Sequence, residues 1–201
     1  MAVVGILLAA GESSRMQRPK ALLPWGEAPT LVEYQVAQML AGGCERAIVV
    51  CGAVPEVGPI ATKAGATVAE NEQWREGRAS SVRAGAREAP PDTEVVVVVS
   101  VDQPAPSGVI SALLRKMTEN PAVIYVPTYK GQRGHPVALP GKHLAELREV
   151  QEETLGLRDL VDAYPPIEVE IDDPIVTADI NTAEDYGRWH KQAFGAPPKV
   201  D

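Results

Sequence analysis

Val3-Val-Gly-Ile-Leu-Leu8-Ala-Ala-Gly11-Glu-Ser-Ser-Arg15-Met-Gln-Arg-Pro-Lys20 opens the chain with an unalternated apolar run that empties into a small-residue loop. A run of this kind, apolar at every position, suits a strand covered on both faces rather than an amphipathic edge. A second such run, Val95 to Val101 with five consecutive valines, has the same character and leads into Asp102-Gln103-Pro104. β-branching and short length mark both as strands. Between and after them, helical patterns alternate with short β-branched runs, which predicts an α/β fold with a mostly parallel sheet.

Working outward, the pattern predicts a helix over Thr30 to Ala41, opened by Thr30 and Glu33 as a capping box and closed by Gly42-Gly43. A strand over Ala47 to Cys51, a helix over Pro55 to Ala64 and a short strand over Thr67 to Ala69 follow. Further helices are expected over Ser80 to Glu88, over Ser107 to Asn120 with Ser107 as N-cap, over Lys142 to Val150 and over Leu157 to Ala163. Ala122 to Pro127 and Pro136 to Leu139 read as strands around a Gly-rich loop, and the alternating Ile167 to Ile171 as an edge or antiparallel strand. The last helix is expected from Asn181, with Glu184 as its capping partner, and the Gly195-Ala-Pro-Pro tail as frayed. His143 and His190 fall on expected helix surfaces.

The 201 residues carry 19 Lys+Arg against 27 Asp+Glu, a net charge of −8. The length fits one domain, expected over residues 1–194, with 195–201 a flexible tail. An acidic chain is a poor partner for duplex nucleic acid, whose phosphates call for clustered cations. Cys44 and Cys51, seven residues apart, fit neither a CxxC motif nor a zinc site. No apolar run reaches membrane-spanning length and no basic leader precedes Ala2 to Ala10, so a cytoplasmic protein without membrane partners is expected.

Five segments could carry chemistry. In the first loop, Arg15, Arg18 and Lys20 bring three of the 19 cations into six positions beside Gly11, Ser13 and Ser14. Backbone N–H groups and hydroxyls can wrap a phosphate chain while the cations neutralise it, although a solvated loop remains open. Neither GxxxxGK[ST] nor GxGxxG is present. Asp102, at the exit of the valine strand, stands where α/β sheets gather ligands and can hold a metal, or can serve a turn before Pro104. Asp179 and Asn181 are a second oxygen-donor pair that could join Asp102 on one Mg²⁺, or simply cap a helix. Ser80 and Ser81 end the loop Asn71 to Gly77, where they read a nucleobase edge or cap the next helix. Arg133 and His135 lie between glycines that can admit a ligand, with Pro136 keeping His135 extended, although a lone His is more often structural. No nucleophile with an adjacent base is visible.

With these segments in hand, the sequence resembles the MobA-like nucleotidyltransferases, most closely their molybdenum cofactor cytidylyltransferase branch. The resemblance runs through LLAAGESSRMQRPKALLPWG, NEQWREGRASSVRAG, VSVDQP, GQRGHPV, GLRDLV at Gly156 to Val161, and ADINTAEDY. It implies a Rossmann-like (GT-A-like) three-layer α/β/α fold with a mostly parallel sheet and one or more antiparallel strands. It further implies a nucleoside triphosphate held by Leu8, Ala9, Ala10, Gly11, Ser13, Ser14, Arg15 and Lys20, with Ser80 and Ser81 near the base. Asp102 would be a metal ligand, Asp179 or Asn181 a further one, and Mg²⁺ the metal. Arg133, His135 and Arg158 would face a pterin substrate. Ala10, where the guanosine-using branch typically has a second Gly, points to CTP over GTP.

The reaction implied is transfer of CMP from CTP to the terminal phosphate of a molybdopterin-type cofactor with loss of pyrophosphate, using Lys20, Arg15 and Asp102. A molybdoenzyme or its chaperone would be the partner downstream. Three other outcomes stay open: nucleotide or pterin binding without transfer, NAD(P)H-linked oxidoreduction of a heterocycle, and transfer to a different phosphate acceptor. The sequence departs from the family at Gln17, where Gly is usual, and at DINTAED, where DIDTPED is usual.

Overall fold

A computed structural model of the protein describes residues 1–13, 16, 18–152 and 157–198. The opening run forms β1, Val3–Leu8, buried at all six positions. After a 3-10 turn at Lys20–Leu22 come α1, Leu31–Ala41, β2, Arg46–Cys51, α2, Val57–Lys63, and β3, Thr67–Glu70. α3, Arg78–Glu88, precedes the valine strand β4, Val95–Ser100, which is followed by α4, Ser107–Glu119. β5, Tyr125–Tyr129, β6, Gln132–Arg133, and β7, Val137–Pro140, come next. A 3-10 turn at Gly141–His143 runs into the short α5, Leu144–Leu147. α6, Leu157–Ala163, β8, Ile167–Glu170, and α7, Ala183–Phe194, complete the chain.

The strands form a single mixed sheet in the order β3-β2-β1-β4-β7-β5-β6, with β8 joined to β5. β1 is parallel to β2 and β4, and β2 to β3. β7 runs antiparallel to β4 and β5, and β6 antiparallel to β5. This is the three-layer α/β/α arrangement with a mostly parallel core and an antiparallel flank. The two-residue period of the strands sends alternate side chains into two separate cores. Val3, Leu7, Val49 and Val97 meet Val36, Ala61 and Leu113 of α1, α2 and α4 on one face. Val4, Ile6, Leu8, Val50 and Val96 meet Val82, Ala86 and Leu147 on the other. Gly85 lets α3 settle against β1: a Cβ there would stand 2.4 Å from Ile6 Cγ2.

Several boundaries differ from the expectation. α3 begins at Arg78 with Gly77 as its N-cap, so Ser80 is inside the helix and does not cap it. α4 likewise includes Ser107, and Pro106 is the cap residue; the Ser107 N–H instead donates to Gln38 Oε1 at 2.8 Å. α7 begins two residues later than expected, and its capping box is Thr182 with Asp185, not Asn181 with Glu184. α5 is a single turn because its first residues form the 3-10 turn. The segment expected to be loop between β5 and β7 makes the hairpin strand β6, paired Thr128 to Arg133 and Tyr129 to Gln132. β8 pairs with β5 and runs parallel to it.

The two helix-borne histidines are buried. His143 is 2% exposed, with Nδ1 2.8 Å from a Glu146 carboxylate oxygen and its ring 4.6 Å from that of Tyr164. His190 is 6% exposed, donates from Nδ1 to Ala196 O at 2.7 Å and accepts at Nε2 from the Gly26 N–H at 3.3 Å. Its ring also packs edge-on to Trp25, at 5.4 Å. Helical position alone does not report which side of a helix a later segment will cover. Gly195, left-handed at φ 72°, ends α7 and delivers Ala196 to that contact; residues 199–201 lie outside the described residues.

Candidate functional site

β1 and β4 are adjacent and parallel, so their exits open on the same edge of the sheet. After β1, the chain stays tied to β2: the Ala9 N–H donates to Val50 O at 3.0 Å and Ala10 O accepts from Ala53 N–H at 2.9 Å. Ala9 and Ala10 are therefore buried, and the loop reaches solvent at Gly11. Ser13 takes a positive φ of 58°, and its Oγ accepts from the Lys20 N–H at 3.0 Å. That hydrogen bond closes the loop and presents the Lys20 side chain inward. Ser14, Arg15 and Gln17 lie outside the described residues.

Lys20 Nζ lies 3.1 Å from Asp102 Oδ2 and 3.0 Å from Asn181 Oδ1. The Asp102 carbonyl also accepts from the Ile180 N–H at 2.9 Å, which pins the segment before α7 onto the exit of β4. Three distant parts of the chain thus meet around one cation. Asp179 is exposed and lines the same cavity without contacting Lys20. Among the described residues, no group of three or more His, Cys, Asp and Glu converges as a metal cage. The pair of oxygens gathered on the Lys20 ammonium nonetheless suits a divalent cation. Mg²⁺ commonly takes one or two carboxylates and fills its remaining positions with water and substrate phosphate.

The cavity over these groups has a volume of about 820 Å³ and is lined by Gly11, Ser13, Lys20, Ser81, Asp102 and Asn181 among others. Ser81 is on its wall, whereas Ser80 is turned inward. Asn71 Nδ2 donates to both hydroxyls, at 2.9 Å to Ser80 Oγ and 3.1 Å to Ser81 Oγ, and Ser80 donates in turn to Gly77 O at 2.8 Å. Trp74 forms another part of the wall, with the Arg75 guanidinium stacked over its ring at 4.1 Å.

A second cavity of about 630 Å³ adjoins the first and holds Arg133, His135 and Arg158, the three residues assigned to an acceptor. Arg133 is bound to Glu168 at 2.6 Å, and Arg158 pairs with Asp162 at 3.7 Å. The His135 N–H donates to Val176 O at 2.7 Å, and the His135–Pro136 peptide is cis. Burial, aided by the positive charge of Arg78 and opposed by Asp179 and Asp102, pulls the His135 pKa down to about 4. The imidazole is neutral at physiological pH. Burial also pushes the Cys44 and Cys51 thiols up to about 12, which removes the thiolate a nucleophile would need.

Sequence reasoning passed over two residues of this region. Gln35, on the fully buried side of α1, holds the exit of β4: its Nε2 donates to Ser100 O at 3.2 Å and Gln103 O at 2.9 Å, and its Oε1 accepts from Ala105 N–H at 3.1 Å. Arg78 reaches across the wall between the cavities and donates to Ser100 Oγ and, at 3.3 Å, to Gln103 Oε1. A polar residue within an apolar helix pattern was the signal for Gln35; Arg78 had none, being one arginine among several in its segment.

Residues 5–168 match the family described as MobA-like NTP transferase domain. The nicotine blue oxidoreductase of Paenarthrobacter nicotinovorans is 33% identical over 154 residues, 68% of this chain and 70% of that protein. A probable molybdenum cofactor guanylyltransferase of Mycobacterium avium is 31% identical over 193 residues, covering 92% and 93% of the two chains. Among solved structures, Rv0371c of Mycobacterium tuberculosis superposes with a TM-score of 0.77 at 26% identity over 94% of this chain and 97% of its own; that protein has also been crystallised with manganese. A matched segment running from β1 into β8, together with relatives that span nearly the whole chain, places this protein in the MobA-like NTP transferase family.

Proposed function

We propose that the protein transfers a nucleoside monophosphate from a nucleoside triphosphate, CTP by preference, to the terminal phosphate of a molybdopterin-type cofactor. The observation that carries this reading is the meeting of Lys20 with Asp102 and Asn181 at the floor of a cavity that adjoins a second one. The triphosphate would lie along the Gly11 to Lys20 loop, with Lys20 releasing its two oxygen partners to neutralise the β- and γ-phosphates, and Arg15 adding a second cation. Ser81, held by Asn71, would face the nucleobase. The preference for CTP over GTP rests on the resemblance at Ala10, where the guanosine-using branch typically has a second Gly.

The acceptor would enter the second cavity past Arg133, His135 and Arg158. A phosphate monoester is ionised near pH 7, so attack on the α-phosphorus needs no general base. A neutral His135 fits that requirement, since it can offer one N–H without taking a proton. Catalysis then rests on positioning and charge neutralisation. A divalent ion such as Mg²⁺, held by Asp102 with Asn181 or Asp179, would supply Lewis-acid neutralisation of the triphosphate oxygens; the manganese complex of Rv0371c supports a divalent site in this fold. The reading places the enzyme in the cytoplasm, where both thiols stay reduced, upstream of a molybdoenzyme or its chaperone. Its test is pyrophosphate release on incubation with Mg²⁺, molybdopterin and each of the four nucleoside triphosphates in turn; release with none of them refutes it.

A second reading is favoured by one relative. The likeness to a nicotine blue oxidoreductase supports NAD(P)H-linked reduction of a heterocycle bound in the second cavity. NAD(P)H consumption with a heterocyclic substrate, in the absence of nucleoside triphosphate, separates this reading from transfer.

A further inference from the structure

Leu8, Arg78, Ser100 and Gln103 line both cavities and form the seam between them. In any reaction that joins a molecule in one cavity to a molecule in the other, the reacting atoms must approach to about 3–3.5 Å, and the seam is where they can do so. Under the transfer reading both reacting groups are phosphates. Bringing two anions together needs a cation at the point of approach.

The charged groups around the second cavity are otherwise committed. Arg133 is held by Glu168 and Arg158 pairs with Asp162. The Glu152 carboxylate accepts from the Ala79 N–H at 2.7 Å. His135 is neutral. In the first cavity, Lys20, paired with Asp102 and Asn181, is taken up by the triphosphate under the transfer reading. Arg78 differs from all of these. Its guanidinium donates to a hydroxyl and a carboxamide oxygen, both uncharged, and neither bond compensates its charge. A guanidinium in that position retains most of its attraction for an incoming anion, and its forked donors match two phosphate oxygens at once.

We infer that Arg78 is the acceptor-phosphate receptor and the bridging catalytic residue, holding the phosphate monoester at the seam for in-line attack. This rests on the transfer reading above. An acceptor phosphate oxygen forms a bond to the α-phosphorus, the bond from the α-phosphorus to the bridging oxygen of the β-phosphate breaks, and that oxygen leaves with the electron pair as pyrophosphate. No proton is transferred to the protein. Ser100 and Gln103 hold the guanidinium in place until the phosphate arrives. Arg133 and Arg158, assigned to the acceptor from sequence, would then contact its outer portion while Arg78 takes the reacting end.

The test is a binding measurement followed by kinetics. With the donor cavity filled by an unreactive α,β-methylene analogue of CTP or GTP, a pterin carrying a phosphate monoester is titrated by calorimetry into the wild type, Arg78→Gln, Arg78→Lys and Arg87→Gln. Arg87, exposed at the far end of α3, removes the same charge outside the cavities. The expected result is at least about tenfold weaker pterin-phosphate binding for Arg78→Gln, a smaller loss for Arg78→Lys, none for Arg87→Gln, and donor affinity changed less than about threefold throughout. In turnover assays, the KM for the acceptor rises and kcat falls. Equal binding by the wild type and Arg78→Gln, equal loss in Arg87→Gln, or no binding by the wild type each overturns the inference. Intact Arg78-dependent binding without pyrophosphate release refutes the transfer reading and leaves the anion site standing.

Discussion

Gln35 Nε2, on the buried side of α1, donates to the main-chain carbonyl of Gln103 at 2.9 Å. Through this bond and its partners at Ser100 and Ala105, a helix that never touches the cavity holds the loop that carries Asp102. Backbone groups at the end of a central strand have left the sheet ladder, and a buried carboxamide is one of few side chains that can satisfy both carbonyls and an N–H together.

Replacing Gln35 by Leu takes the partner from the Gln103 carbonyl and the Ala105 N–H, while Ser100 O keeps its bond from the Gln103 N–H at 3.0 Å. The expected loss of stability is at least about 2 kcal/mol, since each orphaned group costs about 1–3 kcal/mol. Urea denaturation of the two proteins measures it. Nucleotide-dependent activity should fall in the folded Gln35→Leu protein as well, because Asp102 loses its fixed position.

Lys20→Ala and Asp102→Ala are each expected to lower turnover at least ~100-fold while the fold persists, in line with the loss of a preorganised charge at a reacting phosphate. Both side chains are partly exposed and contribute little to either core. Circular dichroism and pyrophosphate release, measured on the same preparations, check both halves. Full activity in Lys20→Ala would remove the triphosphate assignment.

The pH dependence of stability carries a signature of His135. Its pKa in the folded protein, about 4, lies below the 6.5 of the unfolded chain. Between these values the unfolded chain binds more protons, so stability rises with pH from about 4 to 6.5 on this account and is flat above. His135→Gln should lessen the fall in stability below pH 6.5, read from urea midpoints across pH 4.5 to 7.5. Activity, for its part, should show no ionisation of this group near neutrality. An inflection near pH 6.5 that disappears in His135→Gln would contradict the lowered pKa.

Gly85→Val should destabilise by about 1–3 kcal/mol or more, the usual cost of overpacking a filled core. The added Cβ alone would stand 2.4 Å from Ile6 Cγ2, and α3 can relieve this only by moving away from β1. Because α3 carries Arg78 and Ser81, the same substitution should weaken acceptor binding, which separates it from a purely local effect.

Much of this architecture is written in local pattern. The five valines of β4, the unbroken apolar run of β1 and the Thr30 start of α1 are dictated by burial on two faces and by capping chemistry, both of which act over a few residues. The motif loops at Gly11 to Lys20 and at Asp102 could likewise be singled out, since a cation cluster after one buried strand and a carboxylate after another are legible where they stand. What could not be read was contact across distance. His143 and His190 look like surface residues on their own helices and are covered by Tyr164 and by Trp25. Ser80 and Ser81 look equivalent, yet a helix start two residues earlier turns one inward and the other to the cavity.

The sequence by itself determined that a mostly parallel sheet would form and that a cluster of small and cationic residues would follow one buried strand and a carboxylate another, because hydrophobic periodicity and residue type need only neighbours to express themselves. The tertiary structure alone decided that Lys20, Asp102 and Asn181 share one point, and that the one uncompensated guanidinium among the described residues lining the second cavity belongs to Arg78. Those outcomes depend on strand order and helix docking, which place residues 82 and 161 positions apart within a single hydrogen bond.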